Sequence, residues 1–450
     1  MKRFYQASGK VMLASILLSA VCIQGTAVAE EAKEETNPLQ FYTGSNGSFL
    51  KATFQAELAL FDQNNSWFGK AKENLGEDSD YWWESTLRPG LEGSFFFSGE
   101  QSLYGKLDAV QANTGGGYDA GGSNVGLGDV SDLRVQNAFV GWRSGTLFSS
   151  LDKDFLDISF GRQQYMVGNG FLIYSEGGAG GERGAFWIGG RRTADYAGIV
   201  RMKSNGWTGD LVYLENDPIS DQKTKLGGAT VDYTSEQFGN LGGGVYTLES
   251  DIESRDAMVI YNVRGGITPF AAAGAEALKP VKFEAEYVYE DRDNGWDAGK
   301  GWNVAASYPF EQVAWKPTIT YRYASFDENY DTLFYGFSDW GSWFQGEILG
   351  EYALGNANLD SHMLKLKLQP IEPVTVNLLY FHFTIHDTAA FEVTSEDYAD
   401  EFNLVIDWAV NDHLSLSLVG AIAEPDDAAK EHTGGDETWT YGMLYGTVKF

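Results

Sequence analysis

Side chains of opposite character alternate one by one along segments of about ten residues, and the pattern recurs from Phe49 to Phe450. Between residues 49 and 61, Leu50, Ala52, Phe54, Ala56, Leu58 and Leu60 share one face, while Lys51, Thr53, Gln55 and Glu57 take the other. Residues 86 to 97 set Leu87, Leu91, Phe95 and Phe97 against Arg88, Glu92 and Ser94. Residues 281 to 290 set Val281, Phe283, Ala285, Tyr287 and Tyr289 against Lys282, Glu284, Glu286 and Glu290. Residues 402 to 409 set Phe402, Leu404, Ile406 and Trp408 against Asn403 and Asp407. A period of two is that of a β-strand. The charged face needs water, because an unpaired charge in hydrocarbon is costly. The apolar face carries aromatics at strand ends, which fits the interfacial girdles of a membrane barrel better than the buried face of a soluble sandwich.

Downstream of residue 29 no apolar run is long enough for a membrane-spanning helix. A barrel can still span, because only alternate side chains meet lipid. The 54 glycines and 10 prolines favour strands and turns. A net charge of −31 would suit a disordered chain, but 14% aromatic residues argue against disorder. The acidic balance also disfavours nucleic acid as a partner.

The first 29 residues read as a cleaved signal peptide. Lys2, Arg3 and Lys10 form a positive head, Val11 to Ile23 an apolar core, and Ala27-Val28-Ala29 a small-residue cleavage site. The single cysteine, Cys22, lies inside it, so the mature chain has no disulfide and no thiolate metal site. Residues 30–47 read as a short periplasmic tail and 48–450 as the barrel.

The fold expected is therefore all-β: a transmembrane antiparallel β-barrel of about 18 strands in a Gram-negative outer membrane. Parity supports it. Ser98-Gly99-Glu100, Ser204-Asn205-Gly206, residues 370–373 and Asn411-Asp412 fall on one rim as short periplasmic turns, with residues 267–280 longer than expected. The long connections 114–131, 166–192 and 327–358 fall on the extracellular rim. The last strand ends on Phe450, as in the signal by which barrel assembly machinery recognises its clients. Outer-membrane lipid and lipopolysaccharide are the other expected partners.

A pore selects by the charges lining its narrowest part. Inward bases include Arg88, Arg134, Arg201, Lys203, Arg322, Lys365 and Lys367, nearly balanced by inward acids such as Glu57, Asp108, Asp210 and Glu286. Arginine suits carboxylates because its planar fork pairs in two places. Each base could instead brace the wall against a neighbouring acid. The acid excess is placed in outer loops, among them Asp339, Glu347, Glu351, Asp387, Asp426 and Asp427. No EF-hand spacing appears, so no metal is expected. The loop 327–358 carries Tyr335, Trp340, Trp343 and Phe344 and is aromatic enough to enter the lumen as a constriction.

The stretch DISFGRQQYMVGNGFLIYSEGGAGGERGAFWIGGRRTADYAGIVRMK, residues 157–203, and NANLDSHMLKLKLQP, residues 356–370, resemble the alginate-export family of outer-membrane barrels. The resemblance implies 18 strands and a narrow pore for anionic, sugar-acid solutes, with Arg162, Arg191, Arg192 and Arg201 in the lining. Strict alternation would point Arg162 to lipid, so it needs a bulge or a rim position.

The function expected is a passive, selective channel without catalysis or cofactor. One alternative is a surface hydrolase, for which His382 and His386 near Asp387 are the candidate bases. The other is a structural or adhesive barrel plugged by its loops.

Overall fold

The computed structural model describes residues 39–450 apart from 237–238, 272–275 and 294. The expected signal peptide and the first part of the expected tail lie outside the described residues. One antiparallel sheet dominates. Its strands are β1 (Gln40–Thr43), β2 (Phe49–Asn64), β3 (Tyr81–Phe96), β4 (Ser102–Gly115), β5 (Val130–Arg143) and β6 (Leu156–Arg162). Next come β7 (Tyr196–Ser204), β8 (Trp207–Glu215), β9 (Thr224–Ser235), β10 (Gly239–Ser250), β11 (Val259–Ile267), β12 (Lys282–Asp291) and β13 (Gly299–Pro309). The last are β14 (Thr318–Phe326), β15 (Leu359–Ile371), β16 (Val374–Ile385), β17 (Asp397–Ala409), β18 (Leu414–Pro425) and β19 (Trp439–Lys449).

Each strand from β2 onward pairs with the next, and β19 pairs back onto β2 from Thr440↔Asn64 to Lys449↔Gln55. This closes an 18-strand barrel, the number read from alternation. Closure leaves no edge to be satisfied in lipid. The short strand β1 was unforeseen. It pairs with β2 at Phe49, Leu50 and Lys51, beside the point where Phe450 pairs with Phe54, and so covers the part of β2 that β19 does not reach.

Alternation decides which side chains face out. Phe54, Leu87, Leu91, Leu107, Phe160, Leu241, Val263, Leu364 and Leu418 are all exposed on the outer wall. An apolar surface this continuous belongs in lipid. Their neighbours Glu57, Thr86, Asp108, Asp210, Arg264, Glu286 and Lys365 are buried on the inner side.

Register shifts interrupt the ladder between Leu368 and Ile371, between Phe383 and Thr384, and on β4–β5, where a bulge changes which face the lining residues take. The β4–β5 register shifts after Asp108, whose carboxylate accepts the Asn137 backbone N–H at 2.7 Å. The phase of β5 flips there, so Arg134 and Arg143 both face inward although their positions differ by an odd number.

Connections on one rim are short, as at residues 205–206 and 372–373, but 144–155 is longer there. On the other rim they are long. The segments 163–195 and 327–358 do not project outward. They fold into the lumen and pack on each other through the bridge Ile173↔Phe334 and the Phe171–Trp343 ring contact at 4.6 Å. This corrects the expectation for the first of them. It also corrects the placing of Glu347 and Glu351, which line an internal cavity rather than an outer loop.

Candidate functional site: a two-loop constriction

The chain enters the lumen at Gly161. Its φ of +129 and a would-be Cβ only 2.3 Å from the Ala138 carbonyl restrict the position to glycine. The turn ends β6 and swings Arg162 off its lipid-facing phase. Arg162 donates to Asp217 at 2.7 Å and also pairs with Asp195. Arg183 donates to the same Asp217 at 3.1 Å, and Arg191 completes the set. Three guanidinium groups therefore converge on one carboxylate. Burial alone would raise the Asp217 carboxyl, but the arginines outweigh it and hold it at about 2. The backbone adds to the lock: Asp217 N–H donates to the Glu176 carbonyl and Gly178 N–H to the Asp217 carbonyl.

On the far side of the same loop, the Glu84 carboxylate of β3 accepts the backbone N–H groups of Trp187 and Ile188 at 3.2 and 3.0 Å. Arg88 donates to the Gly190 carbonyl at 2.8 Å. The facing loop is held in the same way. Glu401 of β17 accepts the Ile348 and Leu349 N–H groups at 3.0 and 2.8 Å, where the π-helical turn Leu349–Ala353 begins. Gly346, with φ +93, lets the backbone come this close, because a Cβ there would stand 2.5 Å from the Glu401 carboxylate. Trp340 Nε1 donates to Asp407, and Lys365 to Asp339 and the Trp340 carbonyl.

Between the loops lies a cavity of about 300 Å³. Its rim is aromatic, with Tyr174, Trp187, Tyr335, Trp340, Phe344 and Tyr445. Its charged groups are Arg191, Arg192, Glu347 and Glu351. Arg191 is taken by Asp217. Arg192 donates only to neutral oxygens, those of Gly189, Ile188 and Tyr174, and among the described residues no carboxylate stands within 4.0 Å of it. Burial pushes the Glu347 carboxyl up to about 8, helped by nearby Glu401, and lifts Glu351 well above the usual carboxylate range. Glu347 is then neutral near pH 7, and among the described residues no carboxylate pairs with Arg192.

The other bases expected in the lining divide into three groups. Arg134 pairs with Asp132 at 2.7 Å and Arg201 with Asp210 through two bonds, so these brace the wall. Arg322 is buried, donates to Gln345 at 3.1 Å and lies 4.6 Å over the Trp343 ring. It supports the loop from behind rather than facing solute. Lys203 and Lys367 are exposed, with no ion pair among the described residues. The aromatic candidates do enter the lumen: the Tyr335 and Phe344 rings meet at a tilt, 5.1 Å apart, and Trp343 is 1% exposed.

Alternation missed three residues. Arg143, paired with Asp157 at 3.0 Å and lying over Tyr104, was hidden by the bulge. Arg183 and Asp217 lie in loops, where no period places a side chain. Of the acidic inner residues, Glu284 pairs with Lys282 and Glu290 with Arg292, while Glu286 accepts a hydrogen bond from the Asn262 amide. His386 stands 3.6 Å from Asp360, and His382 bonds Asp400 on the outer face; among the described residues neither pairs with Asp387.

No family model and no curated protein sequence matches the chain. Solved structures do. The outer membrane protein OprD from Pseudomonas aeruginosa superposes with a TM-score of 0.56 at 14% identity, covering 95% of this chain and 98% of that one. OccK2 (OpdF) from P. aeruginosa, in complex with glucuronate, gives 0.54 at 12% identity over 89% and 98%. A BenF-like porin from Pseudomonas fluorescens Pf-5 gives 0.54 at 10% over 89% and 98%. The resemblance to alginate-export barrels finds no support here; its short GRQ stretch marks the inward turn at Gly161. At these identities the likeness is one of fold: the chain is an 18-strand antiparallel β-barrel of the Gram-negative outer-membrane porin architecture.

Proposed function

We propose that the protein is a selective outer-membrane channel for small hydrophilic solutes bearing a carboxylate, sugar acids among them. One observation carries the reading: Arg192 faces the cavity between the two loops, and among the described residues it bonds only to neutral oxygens. Its fork can pair with a passing carboxylate, while Trp187, Trp340 and Tyr335 offer faces to the apolar side of a ring. Lys367 of β15, exposed and with no ion pair among the described residues, extends the basic lining along the wall. The glucuronate bound to OccK2 supports such a solute for this architecture. The same reading takes residues 1–29 as a cleaved signal, and lipid, lipopolysaccharide and the assembly machinery reading Phe450 as partners.

Reversal potentials across a planar bilayer under a KCl gradient test it. The wild type should prefer anions, and glucuronate should interrupt the current. Arg192→Ala should reduce the anion preference by roughly 1 kcal/mol, about fivefold. A cation preference that Arg192→Ala leaves unchanged would refute it. The loop-plugged alternative has its own support in the rings buried where the loops meet, Phe171, Phe326 and Trp343. It predicts no conductance at all.

A further inference from the structure

Outside the lumen, His382, Asp400 and Asp426 gather at the long-loop rim. His382 of β16 stands opposite Asp400 of β17, and Asp426 follows β18 at the start of the helix Asp427–Thr433. One donor atom from each can be chosen so that all three lie within 4.8 Å of one another. Their neighbours Phe381, Phe383 and Glu401 are fully buried toward the lumen, so alternation turns His382 and Asp400 to the outer wall.

Two further observations set this group apart from an ordinary solvated acidic patch. The first is an excess of negative charge. Asp397 stands 4.0 Å from the same imidazole, and Glu424 is the register partner of Asp400 on β18. Among the described residues no Lys or Arg lies within 4.0 Å of Asp397, Asp400 or Asp426. Asp426 does not cap its helix, although it precedes it. The second is depth. Directly below, Leu364, Leu378, Phe402, Leu404 and Ile422 line an apolar groove on the outer wall, and Tyr380 in that groove donates to Asp400 at 2.8 Å. The cluster therefore sits where hydrocarbon gives way to headgroups. Water there dilutes charge less well than in bulk, and a counter-ion is worth correspondingly more.

We infer that His382, Asp400 and Asp426 form a binding site for a divalent first-row cation, zinc being the best match. One imidazole nitrogen and two carboxylates are a donor set zinc accepts, and a nitrogen ligand counts against calcium and magnesium. Ligands of one zinc ion stand ~3.3–3.5 Å apart, so the donors must close by about an ångström, within reach of side-chain rotation. Binding exchanges the present 2.9 Å bond between His382 Nδ1 and Asp400 for two bonds to the ion. Three protein ligands leave a fourth position open toward the headgroup layer, where a lipid phosphate can enter.

Titration calorimetry on the folded mature protein in detergent tests this, with Zn²⁺ and Ca²⁺ as probes and heat-modifiable gel migration as the check of folding. One zinc ion should bind per chain. His382→Ala and Asp426→Asn should each weaken it at least ~10-fold, and calcium should bind at least ~10-fold more weakly than zinc. His413→Ala, at the opposite rim, should change nothing. Absence of saturable zinc binding, zinc binding that both variants keep at full strength, or calcium binding as tight as zinc would each overturn the site.

Discussion

The two loops that meet in the lumen are tied to opposite walls by one device and then diverge. Glu84 and Glu401 each accept two consecutive backbone N–H groups, a fixed-geometry clamp that replaces the water those groups would otherwise hold. Beyond the clamp, the 163–195 loop concentrates its ties on one carboxylate, Asp217. The 327–358 loop spreads them over neutral hydrogen bonds, stacked rings and two separate ion pairs, Arg255–Asp331 and Lys365–Asp339. A concentrated lock is strong but fails as a unit; a distributed one loses its parts one at a time.

The largest effect should therefore come from Asp217→Ala. It leaves Arg162, Arg183 and Arg191 facing one another in a buried site, and breaking such a pair costs ~3–5 kcal/mol. The expected outcome is release of the 163–195 loop, read as noisier, larger single-channel currents and new protease cleavage between residues 163 and 195. Lys365→Ala, the matching change on the facing loop, should do much less. Equal effects would erase the contrast. Acid sharpens it. The Asp217 carboxyl is depressed below its unfolded value of ~3.9, so its contribution is full above that value and is lost as pH falls from about 4 through about 2. Below about pH 3 the first loop should loosen while the second stays in place.

Next in size are the clamps. Glu401→Ala leaves two buried N–H groups without an acceptor and Glu84→Ala one buried and one half-buried, at ~1–3 kcal/mol per buried group. Glu401→Ala should widen the constriction more than Glu84→Ala, because the first loop keeps its Asp217 lock. Conductance of the two variants side by side would show it, and the reverse order would mean that the aromatic packing, not the ion cluster, is the stronger tie.

How much of this was legible in the sequence follows the same division. The wall was legible, because the 3.4 Å strand repeat forces each side chain to one of two environments, and lipid and water punish errors alike. The strand count, the parity of the rims and the inward phase of Arg88, Arg201 and Lys365 all came from that. The loops carry no such period. Nothing local in residues 163–195 says that the chain turns inward at Gly161, that Arg183 reaches Asp217, or that Arg191 and Arg192 part ways, one locked on a carboxylate and the other bonded to neutral oxygens. Their aromatic content did announce Tyr335, Trp340, Trp343 and Phe344, because rings in so long a connection need somewhere to be buried. The acids misled for the converse reason: Glu347 and Glu351 read as solvated loop charge, and only the folded loop shows them shielded.

The smallest expected effect bears on that shielding. Burial raises the Glu347 carboxyl to about 8, above its unfolded value of ~4.3. It is protonated in the folded loop at neutral pH and ionises as pH rises through about 8. Its burial therefore weighs against stability increasingly between about pH 4 and 8, the opposite sense to Asp217. Ionisation places a negative charge in the cavity with Arg192, so anion preference should decline by a factor of about two to five between pH 7 and 9. Glu347→Gln should keep the neutral-pH preference and abolish most of the decline, and Asp339→Asn, exposed on the same loop, should not. A decline that persists unchanged in Glu347→Gln would mean that other groups carry the alkaline titration. The second loop would then act on the solute only through its shape.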